Sequence, residues 1–399
     1  MRTQARAALA GCAAAAALVT FTGQALAAGS GPAAHRAGPL TWSVVPSPNP
    51  GTANDDVFRG VTCLSGSDCT AVGFFTARKG SLRSETLAES WNGTKWSVVP
   101  SPSTGGSDYL TGVSCVSDSD CTAVGVHNLD NVAGTVKTLT ESWDGTAWSV
   151  VPSPNSGKVD QLEGVSCVSG TDCVAVGFSR ATPLASSQTL IESWDGTAWS
   201  VVPSPSLGTD DTLNSVSCLS ASDCTAVGFY DAANDLDIAL IESWDGSTWS
   251  VVPSPSTGIS DDLNSVDCVT ATDCVATGQA FPNGVGATLI ESWDGTAWSV
   301  VPGPSIRGTF DSLDGVSCVS ATDCTAAGSA NKNSLIESWD GTSWSKVPSH
   351  NPSPGFNSLL GISCPSATFC TAVGAGTITG PVSSSQTLVE SGTSPATAK

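Results

Sequence analysis

Seven pairs of cysteines, the members of each six residues apart, divide this chain into repeats: Cys63/Cys69, Cys115/Cys121, Cys167/Cys173, Cys218/Cys224, Cys268/Cys274, Cys318/Cys324 and Cys364/Cys370. Successive pairs begin 46 to 52 residues apart, so the period holds and drifts only with loop length. Self-similarity at this spacing marks an architecture built from stacked copies of one supersecondary unit. It overrides the prior of two or three separate domains for a chain of 399 residues.

The third repeat shows what one copy contains. Leu162 to Cys167 alternates apolar and polar residues, Val168 to Asp172 breaks the pattern, and Cys173 to Phe178 alternates again. This reads as two short strands around a five-residue loop, with a cross-strand disulfide at its base. Closing so small a ring stabilises by about 2 kcal/mol in the chain-entropy account. After a variable segment come Thr189 to Trp194, the turn Asp195-Gly196-Thr197-Ala198, and Trp199 to Pro203. Asp-Gly between two β-rich runs predicts a hairpin whose tryptophans meet across the ladder. Pro203 and Pro205 end the last strand, since proline cannot donate to a ladder.

Four short antiparallel strands cannot bury their own apolar faces, and radial stacking of such sheets is the stable solution. The chain ends indicate how the stack closes. Repeat 7 has its cysteines and a third strand, Thr387 to Ser391, but lacks a tryptophan hairpin, while Thr41-Trp42-Ser43-Val44-Val45-Pro46 precedes repeat 1 without strands of its own. The expected fold is all-β, a seven-bladed β-propeller of four-stranded antiparallel blades over residues 41–391, closed by the N-terminal strand completing the last blade. The disulfides are expected to staple the inner hairpins on the face where the repeats do not vary.

Before this region, Arg2 and Arg6, the small apolar run from Ala7 to Val19 and Ala25-Leu26-Ala27 read as a secretory signal over residues 1–27, cleaved near Ala27. A linker covers 28–40, and 392–399 is a C-terminal tail. Leu9-Ala10-Gly11-Cys12 resembles a lipidation site, but too little apolar sequence precedes Cys12. The formal net charge of −21 becomes more negative once Arg2 and Arg6 are removed, which disfavours nucleic acid and anionic membrane as partners. An even set of paired cysteines in an exported chain predicts seven disulfides rather than metal sites, and none of the three histidines recurs with the pairs.

The segment Glu-Ser-Trp-Asp-Gly-Thr-Ala-Trp-Ser-Val-Val-Pro at 192–203 resembles the second half of a kelch repeat. Gly73, Gly125, Gly177, Gly228, Gly278, Gly328 and Gly374 stand where kelch glycines close the second strand. The chain departs from kelch in having one glycine instead of two, tryptophan for tyrosine, and a shorter interval between aromatics. It also looks like secreted bacterial proteins with Val-Ser-Cys and Thr-Ala-Val-Gly phrases and no assigned activity. The resemblance implies a fold and little about function.

Loops that vary between repeats on a rigid scaffold are the first place to look for binding. The loops between second and third strands contain Arg78, Lys79 and Arg83 in repeat 1, His127 in repeat 2, and Tyr230, Asp231, Asp235 and Asp237 in repeat 4. An acid also lies seven residues before the first cysteine in six repeats, at Asp56, Asp108, Asp160, Asp211, Asp261 and Asp311, with Asn357 in the seventh. These side chains either ring a channel mouth, as a cation site or a dock for a basic ligand, or order the turn before the strand. Glu89 and its copy Glu192 read as solvated or inter-blade partners.

No catalytic motif is present, and no cofactor is implied, with calcium left open. The leading expectation is a secreted, monomeric, non-catalytic module that binds a carbohydrate, cell-wall or protein ligand. A glycoside hydrolase or polysaccharide lyase using paired acids, and a structural cell-surface protein, are the alternatives.

Overall fold

The computed structural model of the chain describes residues 38–51, 55–77, 83–128, 134–232, 236–255, 260–282, 286–304, 310–378 and 384–394. The signal segment 1–27 and most of the linker lie outside these residues, as do Arg78, Lys79 and Asp235. Among the described residues there are 28 strands and no α-helix. They form five four-stranded sheets and one of eight, the last being repeats 2 and 3 joined by a single parallel bridge between Val136 and Val159. The fold is that of a β-propeller, with one antiparallel sheet per repeat.

Repeat 3 consists of Val159–Ser169, Asp172–Arg180, Gln188–Trp194 and Trp199–Val201, paired in chain order. Cys167 stands opposite Cys173, and each of the seven pairs is a disulfide. The ladder runs further than the five-residue loop expected from the sequence. Ser169 pairs with Asp172 beyond the disulfide, leaving a two-residue turn, and Val168 is absorbed in a register shift. Repeat 7 differs in detail. Its ladder skips from Ser363/Thr371 to Ser366/Phe369, so Cys364 and Cys370 are bonded without being ladder partners.

Trp194 pairs with Trp199, and the two rings lie 5.7 Å apart. The Trp194 indole N–H donates to the Gly170 carbonyl at 3.1 Å, tying the tryptophan turn to the disulfide hairpin on one edge of the sheet. In the turn, Asp195 Oδ1 accepts the amides of Thr197 and Ala198 at 2.8 and 2.9 Å, and Gly196 supplies the positive φ of 89°.

A second register shift, between Leu162 and Gly164, bends the first strand where it passes closest to its neighbour. The glycine of the kelch-like pattern sits opposite this bend. A Cβ at Gly177 would overlap the Gln161 carbonyl, so the close approach of the two strands requires glycine there.

The core lies between sheets. Val174, Val176 and Ile191 of repeat 3 pack with Leu213, Val216, Ala226, Leu240 and Trp249 of repeat 4. The residue after Leu240, Ile241, joins the next cluster with Leu263, Ala276 and Leu289 of repeat 5. Alternate side chains of one strand thus feed two different interfaces, as the two-residue period demands. Polar links repeat alongside this packing. The residue before the first cysteine accepts the amide of the next repeat's first cysteine, as Ser114 does from Cys167, Ser166 from Cys218, Ser217 from Cys268 and Ser317 from Cys364 at 3.0 to 3.1 Å. The same bond joins repeat 7 to repeat 1, from Cys63 N–H to Ser363 Oγ at 3.0 Å.

Repeat 7 takes its fourth strand from the N-terminus. Thr41–Val44 pairs with the strand Ser384–Thr393, with Trp42 opposite Gly392. Trp42 is 3% exposed, and Gly392 stands where the other repeats carry their first tryptophan. Replacing Trp42 with alanine should cost about 3–5 kcal/mol. Removing residues 28–47 should lower the melting temperature further. Unchanged thermal unfolding of both variants would show that this strand does not hold the last sheet.

Candidate functional site

The paired cysteines are bonded as the spacing predicts, but half of each pair is interior rather than on a face. Cys69, Cys121, Cys173, Cys224, Cys274, Cys324 and Cys370 are each at most 5% exposed. Cys69 packs with Phe58, Leu87 and Trp96, and Cys121 with Leu110, Leu139 and Trp148. Cys224 lies among Leu213, Leu240 and Trp249, and Cys370 among Trp42, Leu359 and Leu388. The disulfides lie at the turn end of each inner hairpin, and their second sulfurs also reach into the core. The second cysteine begins a strand whose alternate side chains enter the inter-repeat core, and a disulfide sulfur is apolar enough to belong there. These residues build the scaffold.

The loop residues singled out from the sequence are largely engaged within the fold. Arg83 Nη1 donates to the Gly105 carbonyl at 3.2 Å. The His127 ring contacts the Asp108 carboxylate and the Thr104 hydroxyl, linking the second strand to the turn before the first. Tyr230, Asp231 and Asp237 are not in a loop. Tyr230 pairs with Ile238 and Asp231 with Asp237, because the second and third strands of repeat 4 extend to Ala232 and Leu236. Asp237 accepts from Ser260 Oγ at 3.0 Å, and Asp231 Oδ2 from Thr209 Oγ1 at 3.3 Å.

The six acids at the start of the first strands are buried, each at most 3% exposed. Asp56 accepts the Gly51 amide at 3.2 Å, Asp108 the Thr104 amide, Asp160 the Gly157 amide at 2.9 Å, and Asp211 the amides of Leu207 and Gly208 at 2.6 and 2.9 Å. Asn357 takes the Ser353 amide at 3.0 Å in the same way. Asp261 and Asp311 are buried at the same register. The incoming loop carries backbone N–H groups with no ladder partner, and a carboxylate or amide oxygen at this position satisfies them. Among the described residues no three His, Cys, Asp or Glu side chains converge as a metal site.

The third-strand glutamates are buried rather than solvated. Glu89, Glu141, Glu192, Glu242, Glu291, Glu337 and Glu390 are each at most 1% exposed. Serines of the preceding repeat reach several of them across the sheet interface: Ser101 to Glu141 at 2.7 Å, Ser153 to Glu192 at 2.6 Å, Ser254 to Glu291 at 2.8 Å and Ser334 to Glu390 at 3.0 Å. For Glu337 of repeat 6 the corresponding residue is Gly303 of repeat 5, which has no hydroxyl to offer. Burial pushes Glu89 and Glu242 up to about 8, and Glu141, Glu192, Glu291 and Glu337 to about 7, with the aspartate of the same repeat adding to the effect. Burial also raises Glu390, against the His350 amide and the Ser334 hydroxyl.

The position that departs most from sevenfold sameness is one the sequence pattern did not single out. It lies four residues before each first cysteine, at the register shift of the first strand: Arg59, Thr111, Glu163, Asn214, Asn264, Asp314 and Leu360. Being skipped by the ladder, these residues are free to reach the next repeat. Thr111 Oγ1 donates to the Leu162 carbonyl at 2.7 Å, Asn214 Nδ2 to Leu263 at 2.8 Å, and Asn264 Nδ2 to Leu313 at 3.2 Å. Arg59, Glu163 and Asp314 bring charge instead. The Arg59 guanidinium lies 5.9 Å from the Phe74 ring, which meets Tyr109 edge-on at 5.9 Å. Gln161 donates to Glu163. Burial raises both Tyr109 and Glu163, and the Arg59 charge acts against each shift, so the three groups share one field. In repeats 5 and 6, Asp314 accepts from Ser312 Oγ at 2.7 Å, and Asp267 accepts the Cys318 amide at 2.7 Å. Burial pushes both to about 6. Repeats 1–3 therefore offer an exposed cation beside two aromatic rings, and repeats 5 and 6 offer carboxyl and amide groups.

No protein-family model and no curated protein sequence matches this chain. Solved structures of the same fold do. YCF48 from Cyanidioschyzon merolae superposes with a TM-score of 0.55 at 14% identity, covering 90% of this chain and 99% of that one. A YCF48 bound to D1 peptide superposes with a TM-score of 0.53 at 12% identity, covering 88% and 94%. At these identities the likeness concerns the fold alone.

The raised glutamates make stability depend on pH with a definite sign. The folded chain holds protons that the unfolded chain, with glutamates near 4.5, releases. Their contribution is therefore fully present below pH 4.5 and is lost as pH rises through 7 to 8. The turn aspartates Asp144, Asp195, Asp245, Asp294 and Asp340 are held low by side-chain hydroxyls and backbone amides, so their contribution fades only below pH 3.8. The melting temperature should be higher at pH 5 than at pH 9. A flat or rising profile over that range would contradict the protonated state of the buried glutamates.

Proposed function

We propose that the seven repeats close into a seven-bladed propeller, completed by the N-terminal strand, and that this propeller is an exported, non-catalytic module binding a peptide or protein segment. The bond from Cys63 to Ser363 and the pairing of Thr41–Val44 with Ser384–Thr393 support closure. A Cβ added at Gly361 would lie 3.0 Å from the Arg59 carbonyl, which sets the first strands of repeats 7 and 1 side by side. Seven disulfides suit an oxidising compartment, in keeping with the Arg2/Arg6 and Ala25-Leu26-Ala27 signal pattern. Among the described residues, no helix is long and apolar enough to cross a membrane.

The observation that carries the binding reading is the asymmetry of the bulge positions. A scaffold whose turns, disulfides and cores repeat nearly unchanged departs from repetition at Arg59, Glu163 and Asp314, with Tyr109 and Phe74 beside the arginine. An exposed arginine beside aromatic rings, with carboxyl and amide groups at the same position of other repeats, matches the composition of surfaces that bind polypeptide. It also offers a peptide both a cationic and an acidic contact. The structural neighbour recorded with a bound peptide is in accord with this use of the fold. A carbohydrate or cell-wall ligand is the second class to test, because the same aromatic and acidic groups can stack on and hydrogen-bond to sugars.

A peptide array followed by calorimetry on the full chain tests this reading. Arg59→Ala and Tyr109→Ala should each weaken a selected peptide by about 2 kcal/mol, roughly thirtyfold, without lowering the melting temperature. Glycan binding without peptide binding would move the ligand to the carbohydrate class. Sugar release from polysaccharide, abolished by Asp314→Asn, would make the protein an enzyme and end the proposal.

A further inference from the structure

A cavity of about 250 Å³ opens between repeats 5 and 6, on the edge that carries the disulfide hairpins and tryptophan turns. Sequence reasoning sets this edge aside because its turns are nearly identical in every repeat. The cavity is walled by Trp293, Trp339, Trp344 and Val275, with the carboxylates of Asp273 and Asp294 in its lining and no lysine or arginine. It shares no lining residue with the bulge positions.

The chemistry of the walls is specific. The indole N–H groups of Trp293 and Trp339 are satisfied by the carbonyls of Ala271 and Ala321, each at 3.1 Å, so both rings meet a ligand only through hydrocarbon and π surface. Val275 occupies a position where repeats 1, 2, 4, 6 and 7 have threonine, which makes this wall apolar. Asp294 is exposed, and its Oδ1 accepts the amides of Thr296 and Ala297 at 2.8 and 2.9 Å, so its negative charge is fixed in place by the turn. Asp273 is half-buried and held by the hydroxyls of Thr270 and Thr272. Two anchored carboxylates repel an anion. Indole faces and valine favour hydrocarbon over a hydrated metal ion. A compact cation with an apolar surface satisfies both demands, through the ring quadrupoles and the carboxylates together.

We propose that the cavity between repeats 5 and 6 binds a small alkylated ammonium cation, its alkyl groups against the indoles and its charge beside Asp273 and Asp294. This site is independent of the peptide reading and stands or falls separately from it.

Calorimetry on the full chain with choline and with its neutral isostere 3,3-dimethylbutan-1-ol tests the idea directly. Choline should bind about tenfold more tightly than the alcohol, and binding should weaken with added salt. Two substitutions that the chain already tolerates elsewhere move the charge without disturbing the turns. Asp294→Asn copies repeat 1, where Asn92 Oδ1 accepts the amides of Thr94 and Lys95 at 3.0 Å, and should weaken choline about threefold. Ala321→Asp copies repeat 2, where Asp118 occupies the same turn and its carbonyl still accepts from Trp143, and should tighten choline about threefold. Absence of choline binding, equal affinity for the alcohol, or affinity unmoved by both substitutions in proteins with unchanged melting would each overturn the proposal.

Discussion

Each sheet of this protein carries apolar side chains on both faces, and among the described residues these pack against neighbouring copies of the same sheet. Leu240 and Ile241 are adjacent in one strand yet belong to two different cores, one shared with repeat 3 and the other with repeat 5. The remaining regularities follow from that arrangement. The disulfide pins the hairpin nearest the neighbouring first strands and sinks its second sulfur into the core, as at Cys224 and Cys370. The residue before the first cysteine binds the next repeat, as Ser166 and Asp267 do, and glycine opposite the bend lets two backbones approach. Stability in such a protein resides in the interfaces between repeats as much as in the repeats themselves.

The same interfaces bury an uncommon amount of carboxyl. In six repeats an aspartate in the turn and a glutamate in the third strand are both excluded from water, and the seventh replaces the aspartate with Asn357. The two groups meet burial differently. Aspartates such as Asp211 accept backbone amides, which work against the upward push of burial, whereas glutamates such as Glu141 receive a single serine hydroxyl and are pushed up further, to about 7. The formal charge of −21 therefore overstates the charge carried by the folded chain at neutral pH. A fold assembled by apolar packing accommodates these acids by keeping one set hydrogen-bonded and the other neutral.

The parts of the structure that were legible beforehand are those where a residue's role is local. Cys167 and Cys173 had to face each other because six residues span a tight hairpin, and Asp195-Gly196 between Trp194 and Trp199 had to turn. Trp42 could be assigned to the last sheet because repeat 7 lacked a strand and the N-terminus carried a spare one. Other features were hidden because they depend on register. Cysteine spacing shows that Cys69 and Cys121 are bonded, but not that both are interior, since burial depends on the neighbouring repeat. Tyr230, Asp231 and Asp237 read as loop residues from their polar surroundings, yet they extend a hairpin, with Asp231 paired opposite Asp237. Arg59, Glu163 and Asp314 were passed over because simple alternation does not reveal a bulge, and each of them sits where the ladder skips a residue.

The sequence alone determined the repeat, its four strands, its disulfides and the strand that completes the last sheet, because periodicity, turn residues and cysteine spacing act over a few residues. Tertiary structure decided which side chains meet between repeats. Of the two readings of the third-strand glutamates, solvated or inter-blade, burial and the serines of the preceding repeat decided for the second. The bend in each first strand chose seven positions to vary, and the packing of repeat 5 on repeat 6 opened a tryptophan-walled cavity on the edge that looked most uniform. These outcomes depend on distances between segments about fifty residues apart, which no local pattern encodes.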